Sequence, residues 1–362
     1  MTNVLISGAS IGGPALAYWL RHHGFDVTVV ERARGLRPGG QAIDVRGPAL
    51  EVIERMGLGE RLRSFSTNMR GMNVVDAEGN ELFSSTTRTI SGGDLSSPDV
   101  ELLRDDLAGM LFDAVEGVEY LFDDTITAID GTRVTFEKAA PRDFDVVVGA
   151  DGLHSNVRRL VFGPEERFIS HLGVNLAVFT APNFLGLDHW QTFQQGDVVG
   201  GGIMSARSNA ECRVYMGFNG VTSFDHRDVE AQRRLLAEKF EGAGWAWPTA
   251  LKHMWEAPDF HFDSMSQIRM DSWSRGNVVL LGDAGYCGSP LSGQGTSMAL
   301  VGAYVLAGEL AKDPTTAFER YEEVLRPYVT ANQDMALRNQ ESGGAPIPEF
   351  DEIVNSLILP HY

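Results

Sequence analysis

The stretch from Asn3 to Glu31 constrains this chain more than any other. A short apolar run, Asn3-Val-Leu-Ile-Ser7, ends in the cluster Gly8-Ala-Ser10-Ile11-Gly12-Gly13-Pro14. A helical run follows to Gly24, and a second apolar run closes on Glu31. This order predicts strand, tight turn, helix and parallel strand, with a dinucleotide-binding fingerprint in the turn. Gly8 permits the turn. Ser10 stands where a second glycine would let the backbone approach a pyrophosphate, and Gly13 lets the helix pack close to the strand. The helix start, with Pro14 in its first turn, aims free N–H groups and a positive dipole end at phosphates. Glu31 lies about 20 residues further on, where a carboxylate accepts ribose hydroxyls.

Composition narrows the partners. The chain has 362 residues, enough for two domains or one domain carrying an insertion. Its net charge of −19 argues against nucleic acid and anionic membranes. No apolar run is long enough to span a bilayer, and Met1 leads straight into the first strand. Cys212 and Cys287 form no disulfide or metal pattern. The expectation is a soluble, cytoplasmic protein with a small-molecule ligand, no metal and no oligomeric state specified.

Past Glu31, Arg32-Ala-Arg34-Gly-Leu-Arg37-Pro-Gly39-Gly40 reads as a basic loop, suited either to adenosine phosphates or to solvent. Met72–Asp76 and Glu81–Phe83 predict a hairpin, and the polar run Thr86–Pro98 a loop. Apolar spacing predicts a helix over Val100–Val115, with Arg104 near its start. Val118–Phe122, Thr125–Ile129 and Arg133–Phe136 read as strands, and Asp145–Gly149 as a buried parallel one. It ends in Ala150-Asp151-Gly152-Leu-His154-Ser155-Asn-Val157-Arg158. From Phe162 to Met270, alternating patterns predict a mostly antiparallel sheet with strands at Leu172–Thr180, Trp190–Phe193, Val198–Met204 and Cys212–Phe218, and a helix over Asp228–Glu241. Asn277–Asp283 is another buried parallel strand. The loop Ala284–Gly295 opens a helix over Thr296–Leu310, a long helix covers Thr315–Asn339, and the tail from Gly343 leads to an apolar end.

The expected architecture is α/β: a Rossmann-type dinucleotide-binding domain carrying an inserted, mostly antiparallel β-sheet domain. The divisions are 1–71, 99–161 and 271–342 for the nucleotide-binding part. The hairpin and loop at 72–98 join 162–270 in the substrate part, and 343–362 forms the tail.

Three motifs in order, Gly8-Ala-Ser-Ile-Gly-Gly13, Gly149-Ala-Asp151-Gly-Leu-His-Ser-Asn-Val-Arg158, and Gly282-Asp283-Ala284 with Pro290 and Gly293-Gln-Gly295, resemble the class A FAD-dependent aromatic hydroxylases of the p-hydroxybenzoate hydroxylase type. The similarity is greatest to short members such as tetracycline-inactivating and polyketide-tailoring monooxygenases. The resemblance implies that Gly8, Ser10, Ile11, Gly12, Gly13, Glu31 and Arg32 hold the adenosine side of FAD. It implies that Asp283 holds flavin ribityl or ribose hydroxyls, and that Pro290, Gly293 and Gly295 border the flavin pyrimidine edge. Arg104 and Asp44 would contact the cofactor, and Asp151 and Arg158 form the motif associated with both FAD and NAD(P)H. Two departures stand out. The chain has Gly282-Asp283-Ala284-Gly285-Tyr286 where the family commonly has Gly-Asp-Ala-Ala-His. Ser297 and Gly302 replace an asparagine and an aspartate in the next helix.

The resemblance further implies that NADPH or NADH reduces FAD, that O₂ adds at flavin C4a, and that the hydroperoxide transfers oxygen to an aromatic or polyketide-like substrate. The protein would exclude water and place the substrate, which needs no Ser/His/Asp triad. Gln191 and Arg213, in predicted strands of the inserted sheet, are candidate substrate contacts. His171, His189, His226 and His261 have no partner evident in the sequence, and none is assigned as a catalytic base. A flavin reductase or dehydrogenase, a Baeyer–Villiger monooxygenase and a non-enzymatic dinucleotide-fold scaffold are the competing readings. The pair of Gly282-Asp283 and Gly293–Gly295 argues against the scaffold. Trp245-Ala-Trp247-Pro248 is similar to part of a halogenase motif but lacks its isoleucine, and Cys287 near the flavin loop is read as a small buried residue rather than a covalent flavin link.

Overall fold

The computed structural model describes residues 2–90, 94–196, 198–222, 224–341 and 347–362; positions 343–346 of the tail and 91–93 of the polar loop lie outside them. The first third of the chain runs β1 (Asn3–Ser7), α1 (Gly12–His22), β2 (Asp26–Glu31), β3 (Ala42–Val45), α2 (Pro48–Arg55), α3 (Gly59–Ser64), β4 (Gly71–Val75), β5 (Glu81–Ser85), β6 (Val100–Leu103) and α4 (Arg104–Asp113). Then come β7 (Glu119–Phe122), β8 (Ile126–Asp130), β9 (Arg133–Phe136), β10 (Arg142–Asp143), β11 (Val146–Gly149), α5 (Asn156–Val161), β12 (Ile169–Pro182), β13 (Trp190–Gln194), β14 (Val199–Ala206) and β15 (Glu211–Asn219). The chain closes through α6 (Val229–Lys239), α7 (Trp247–Glu256), β16 (Phe260–Ile268), β17 (Ser274–Arg275), β18 (Val278–Leu280), α8 (Asp283–Tyr286), α9 (Gly295–Lys312), α10 (Ala317–Glu341) and α11 (Phe350–Val354).

Two sheets carry the architecture. In the first, ordered β17-β18-β11-β1-β2-β7, only the β17–β18 edge is antiparallel. Its central strands are apolar on both faces because both are buried, in one core that takes in α1 and α9, packed on each other, and Ile126, Val134 and Phe136 of a small β10-β9-β8 sheet. The second sheet runs β16-β12-β15-β14-β13-β4-β5, and all its pairs are antiparallel except β13 with β4. Alternation commits one face to a core of Ala177, Phe179, Ile203, Val214, Met216 and Phe218 under α6 and α7. The opposite face turns toward the first domain.

The helix expected from Val100 begins only at Arg104. Val100–Leu103 is instead strand β6, paired with β3 so that Asp44 faces Glu101 and Val45 faces Val100. The period of two in Val100-Glu-Leu102 carried that signal, and the backbone of Ala42–Val45 supplies partners that a helix would not need. The aromatic stretch at 245–248 opens α7, where Trp247 is buried and donates from Nε1 to Gln194 Oε1 at 2.9 Å. Phe260–Ile268, not expected as a strand, is β16. The chain's end docks on the body: Leu359 is buried, and the Tyr362 hydroxyl donates to Glu309 Oε1 at 2.8 Å.

Gly308 makes that docking possible, since a Cβ there would lie 2.1–2.5 Å from the Tyr362 ring. Gly308→Leu is expected to lower stability to urea by about 1–3 kcal/mol. Removing the Tyr362 ring in the same chain should recover part of that loss, and strictly additive effects in the double variant would refute the contact.

Candidate active site

The turn after β1 is fixed by backbone contact. Gly8 has φ +111°, and a Cβ on it would lie 2.4 Å from the Ala150 carbonyl oxygen. A Cβ on Gly13 would lie 1.9 Å from the Gly8 carbonyl oxygen. The two glycines therefore clamp the β1 end against α1 and against the loop after β11. Glu31, at the end of β2, accepts from Ala9 N and Ala33 N, both at 2.8 Å, so its carboxylate stands over the glycine turn. Ile11 and Gly12 open α1 beside it, and Arg32 is exposed at the rim.

Arg104, the first residue of α4, is buried and ties this turn to the loop before β3. Its guanidinium donates to Ser10 Oγ at 3.2 Å and to the Gly39 carbonyl at 2.9 Å, and also reaches the Arg37 carbonyl. The loop is a strap held from two sides. Gly39 N donates to Asp105 at 3.1 Å and Gly40 N to Asp259 at 3.3 Å. From the second sheet, Arg213 Nε donates to the Gly40 carbonyl at 3.0 Å, and the Tyr215 hydroxyl accepts from Ala42 N at 2.8 Å. Arg104, Arg213 and the double glycine stand out in the sequence, but Asp259 and Tyr215 do not, because their role depends on strand pairing.

Asp283 begins α8 at the end of β18. Solvent reaches it, yet surrounding protein raises its pKa by desolvation against the hydrogen bond with Cys287. His261 is alike: solvent reaches it, while desolvation and then the Arg37 charge lower its pKa to about 4. Groups both wetted and desolvated line a cleft rather than an outer surface. At its wall Pro290 is exposed, Gly293 is left-handed at φ +62°, and Gly295 starts α9, its Cβ position 3.7 Å from Asp283 Oδ1. Between them Gln294 is fully buried, and neither polar atom of its side chain meets a partner among the described residues.

The two departures at 286 and 302 are a matched pair. A Cβ on Gly302 would lie 2.2 Å from the Tyr286 hydroxyl. That hydroxyl hydrogen-bonds Tyr321 at 2.8 Å. The larger residue at one position occupies the space left by the smaller at the other. Ser297, the other departure in the helix, accepts from Arg46 N at 3.2 Å.

The middle motif is turned inward. Asp151 accepts from Ser155 Oγ at 2.5 Å, Asn156 N at 2.8 Å and Val157 N at 3.1 Å, capping α5. Arg158 is fully buried, donating to Ala284 O at 2.9 Å and Glu165 Oε2 at 2.7 Å, so it braces the Asp283 loop. His154 bridges the two domains, 2.8 Å from Glu165 and 3.1 Å from Asp263, with His226 stacked on it. Burial opposes its charge, but hydrogen bonds to Asp263 and Glu165 and their charges raise it to about 9. Two other histidines have local roles: His171 bonds Ser266 at 2.9 Å and His189 bonds the Thr67 carbonyl at 3.0 Å.

The inner face of the second sheet forms the other wall. Cross-strand register sets Met72, Gln191, Met204, Arg213 and Thr180 in one row. The next row contains Phe193, Gly202 and Tyr215, and beyond it Gly200 faces Gly217. Phe193, Tyr215, Gly200 and Gly217 are only half-buried although they lie in the middle of a sheet. That floor is hollow. Gln191 and Arg213 are buried at its head, Gln191 donating to Glu101 at 3.1 Å and Arg213 pairing with Glu211 at 2.8 Å. Asp44 joins them through the small β3–β6 sheet and pairs with the buried Arg46 at 2.9 Å.

Two outcomes follow. Gly39 has φ +70° and its Cβ position lies 1.8 Å from Asp259, so Gly39→Ala should displace the strap and lower retention of bound flavin through gel filtration. For His154, whose pKa is raised, the charged form stabilises fully below about 6.5 and is lost as pH rises through about 9. The denaturation-midpoint advantage of wild type over His154→Gln should therefore shrink between pH 7 and 10, and a constant advantage would refute the bridge.

Comparison with known proteins matches this geometry. Residues 1–336 match the FAD binding domain family. An uncharacterised protein of Mycobacterium tuberculosis is 54% identical, with both chains fully covered. A flavin-dependent monooxygenase from an unknown prokaryotic organism is 40% identical over 98% of this chain and 94% of its own. The crystal structure of tetracycline destructase Tet(51) is similar at a TM-score of 0.91 and 34% identity, with both chains fully covered. The chain belongs to the class A flavin-dependent monooxygenases, oxidoreductases built on an FAD-binding domain.

Proposed function

We propose that this protein is an FAD-dependent monooxygenase that uses a nicotinamide dinucleotide and O₂ to oxygenate an aromatic or polyketide-like small molecule. The observation that carries the reading is the cleft itself. On one wall it has a dinucleotide turn and Asp283, and on the other the hollow face of a sheet with a polar head at Gln191 and Arg213.

The residues fit FAD. Gly8 and Gly13 hold the turn close to the Ala150 carbonyl and to α1 with no room for extra side chains, the tight glycine turn that a pyrophosphate site uses. The start of α1 offers its N–H groups there, and the Glu31 carboxylate suits adenosine ribose hydroxyls. Arg104 and Ser10 border that site, and Asp283 suits the ribityl chain. The free polar atoms of Gln294 and the N-terminus of the 18-residue α9 would meet the pyrimidine edge of the flavin, where a positive dipole favours negative charge. When bound, FAD supplies the redox chemistry, accepting hydride and activating oxygen. The protein's part is positioning and exclusion of water. The strap closes one side of the cleft, the glycine floor admits a flat ring system, and Gln191 and Arg213 orient its oxygen substituents.

The tetracycline destructase named above and this chain share the whole of this architecture, which makes tetracycline a suitable first probe beside simple phenols. The purified protein should show flavin absorption and consume NADPH or NADH in air, faster with an accepted ring compound. Asp283→Ala should lose most of its flavin. A wild-type protein that stays colourless after incubation with FAD would overturn the reading.

A further inference from the structure

The small β3–β6 sheet places two carboxylates directly opposite one another, Asp44 and Glu101, on the same face. Like charges at such a position repel across the strands. Everything packed against them bears on their charge. Just after β3 stands Arg46, fully buried and 2.9 Å from Asp44, and just before β6 stands Asp99, 3.8 Å from Arg46. Thr67 donates its hydroxyl to Glu101 at 2.6 Å, and Gln191 of β13 donates its amide at 3.1 Å. Tyr215 and Arg213 of β15 face the same junction through the strap. The buried Arg46 thus stands among three acids, Asp44, Asp99 and Glu101.

Glu101 is half-buried and bonded to Gln191 at the head of the sheet's inner face. We propose, building on the monooxygenase reading, that Glu101 is the general base of the substrate cleft, accepting the proton of a phenol or enol hydroxyl that docks beside Gln191. In that step the substrate O–H bond breaks and an O–H bond forms on the Glu101 carboxylate. The electron pair stays on the substrate oxygen, which makes the conjugated ring carbon more nucleophilic toward an electrophilic oxygen donor. Gln191 is fixed at both ends of its amide, the oxygen accepting from Ile90 N at 3.1 Å while the nitrogen is directed at Glu101. Desolvation, then the Asp44 charge, raise Glu101 to about 7 against the hydrogen bonds from Thr67 and Gln191 and the charge of Arg46. A base poised there is matched to neutral pH. Two other candidates are engaged elsewhere: desolvation and the Arg37 charge lower His261 to about 4, and His154 is bonded to two carboxylates.

The test is infrared difference spectroscopy of the FAD-loaded protein across pH, wild type against Glu101→Gln and Asp44→Asn. A protonated-carboxyl band that titrates near neutrality, vanishes in Glu101→Gln and shifts to lower pH in Asp44→Asn is expected. A band unchanged in either variant, or none titrating near neutrality in wild type, overturns the proposal. With a phenol or tetracycline that accelerates wild-type turnover, Glu101→Gln should lose about 10²-fold or more in rate. It should also lose the limb of the pH profile near neutrality, and retention of that limb overturns the assignment. Absence of flavin from wild type would instead strike the underlying monooxygenase reading, which keeps the two failures distinct.

Discussion

The site depends first on a backbone crossing that excludes side chains. Where β1 ends, Gly8 lies under the Ala150 carbonyl and over the turn that Gly13 closes, with no room for a Cβ at either glycine. This crossing fixes the distance between the first strand, the first helix and the loop after β11. It therefore fixes where the N-terminus of α1 points and how far Glu31 can reach. A dinucleotide turn of this kind is set by steric exclusion more than by attraction, so its glycines show plainly in a sequence.

A second level of order comes from groups that join the domains. The strap at 39–42 is bonded by Arg104 and Asp105 from one domain and by Asp259, Arg213 and Tyr215 from the other. His154 spans the same boundary through Glu165 and Asp263. These contacts are polar, directional and long in sequence separation. They hold the walls of the cleft in register.

This division explains what the sequence disclosed. The Asn3–Glu31 unit, the buried runs at 146–149 and 278–280, and the motif positions Asp151, Arg158, Asp283 and Gly295 were legible because each is a local pattern. The small sheet was not, because Val100–Leu103 becomes a strand only by pairing with Ala42–Val45. Missing that strand hid Glu101, whose environment consists entirely of residues from other segments. Asp151 and Arg158 were legible as a motif, but only the structure reveals that they act on α5 and on the Asp283 loop. The oddities at Tyr286 and Gly302 were visible as separate departures, and their mutual fit needed coordinates.

The two faces of the second sheet obey different rules. One is committed to packing under α6 and α7, where any change of volume is felt throughout the core. The other is paved around Gly200, Gly202 and Gly217 and supports little weight. An added Cβ would lie 3.3 Å from the Asn175 carbonyl oxygen at Gly217, 3.0 Å from the Gln194 carbonyl oxygen at Gly200 and 2.4 Å from the Phe193 ring at Gly202. The outline of that floor can therefore be redrawn only where a side chain such as Phe193 swings aside, and the fold beneath stays as it is. On such a scaffold, chemical repertoire diversifies faster than architecture.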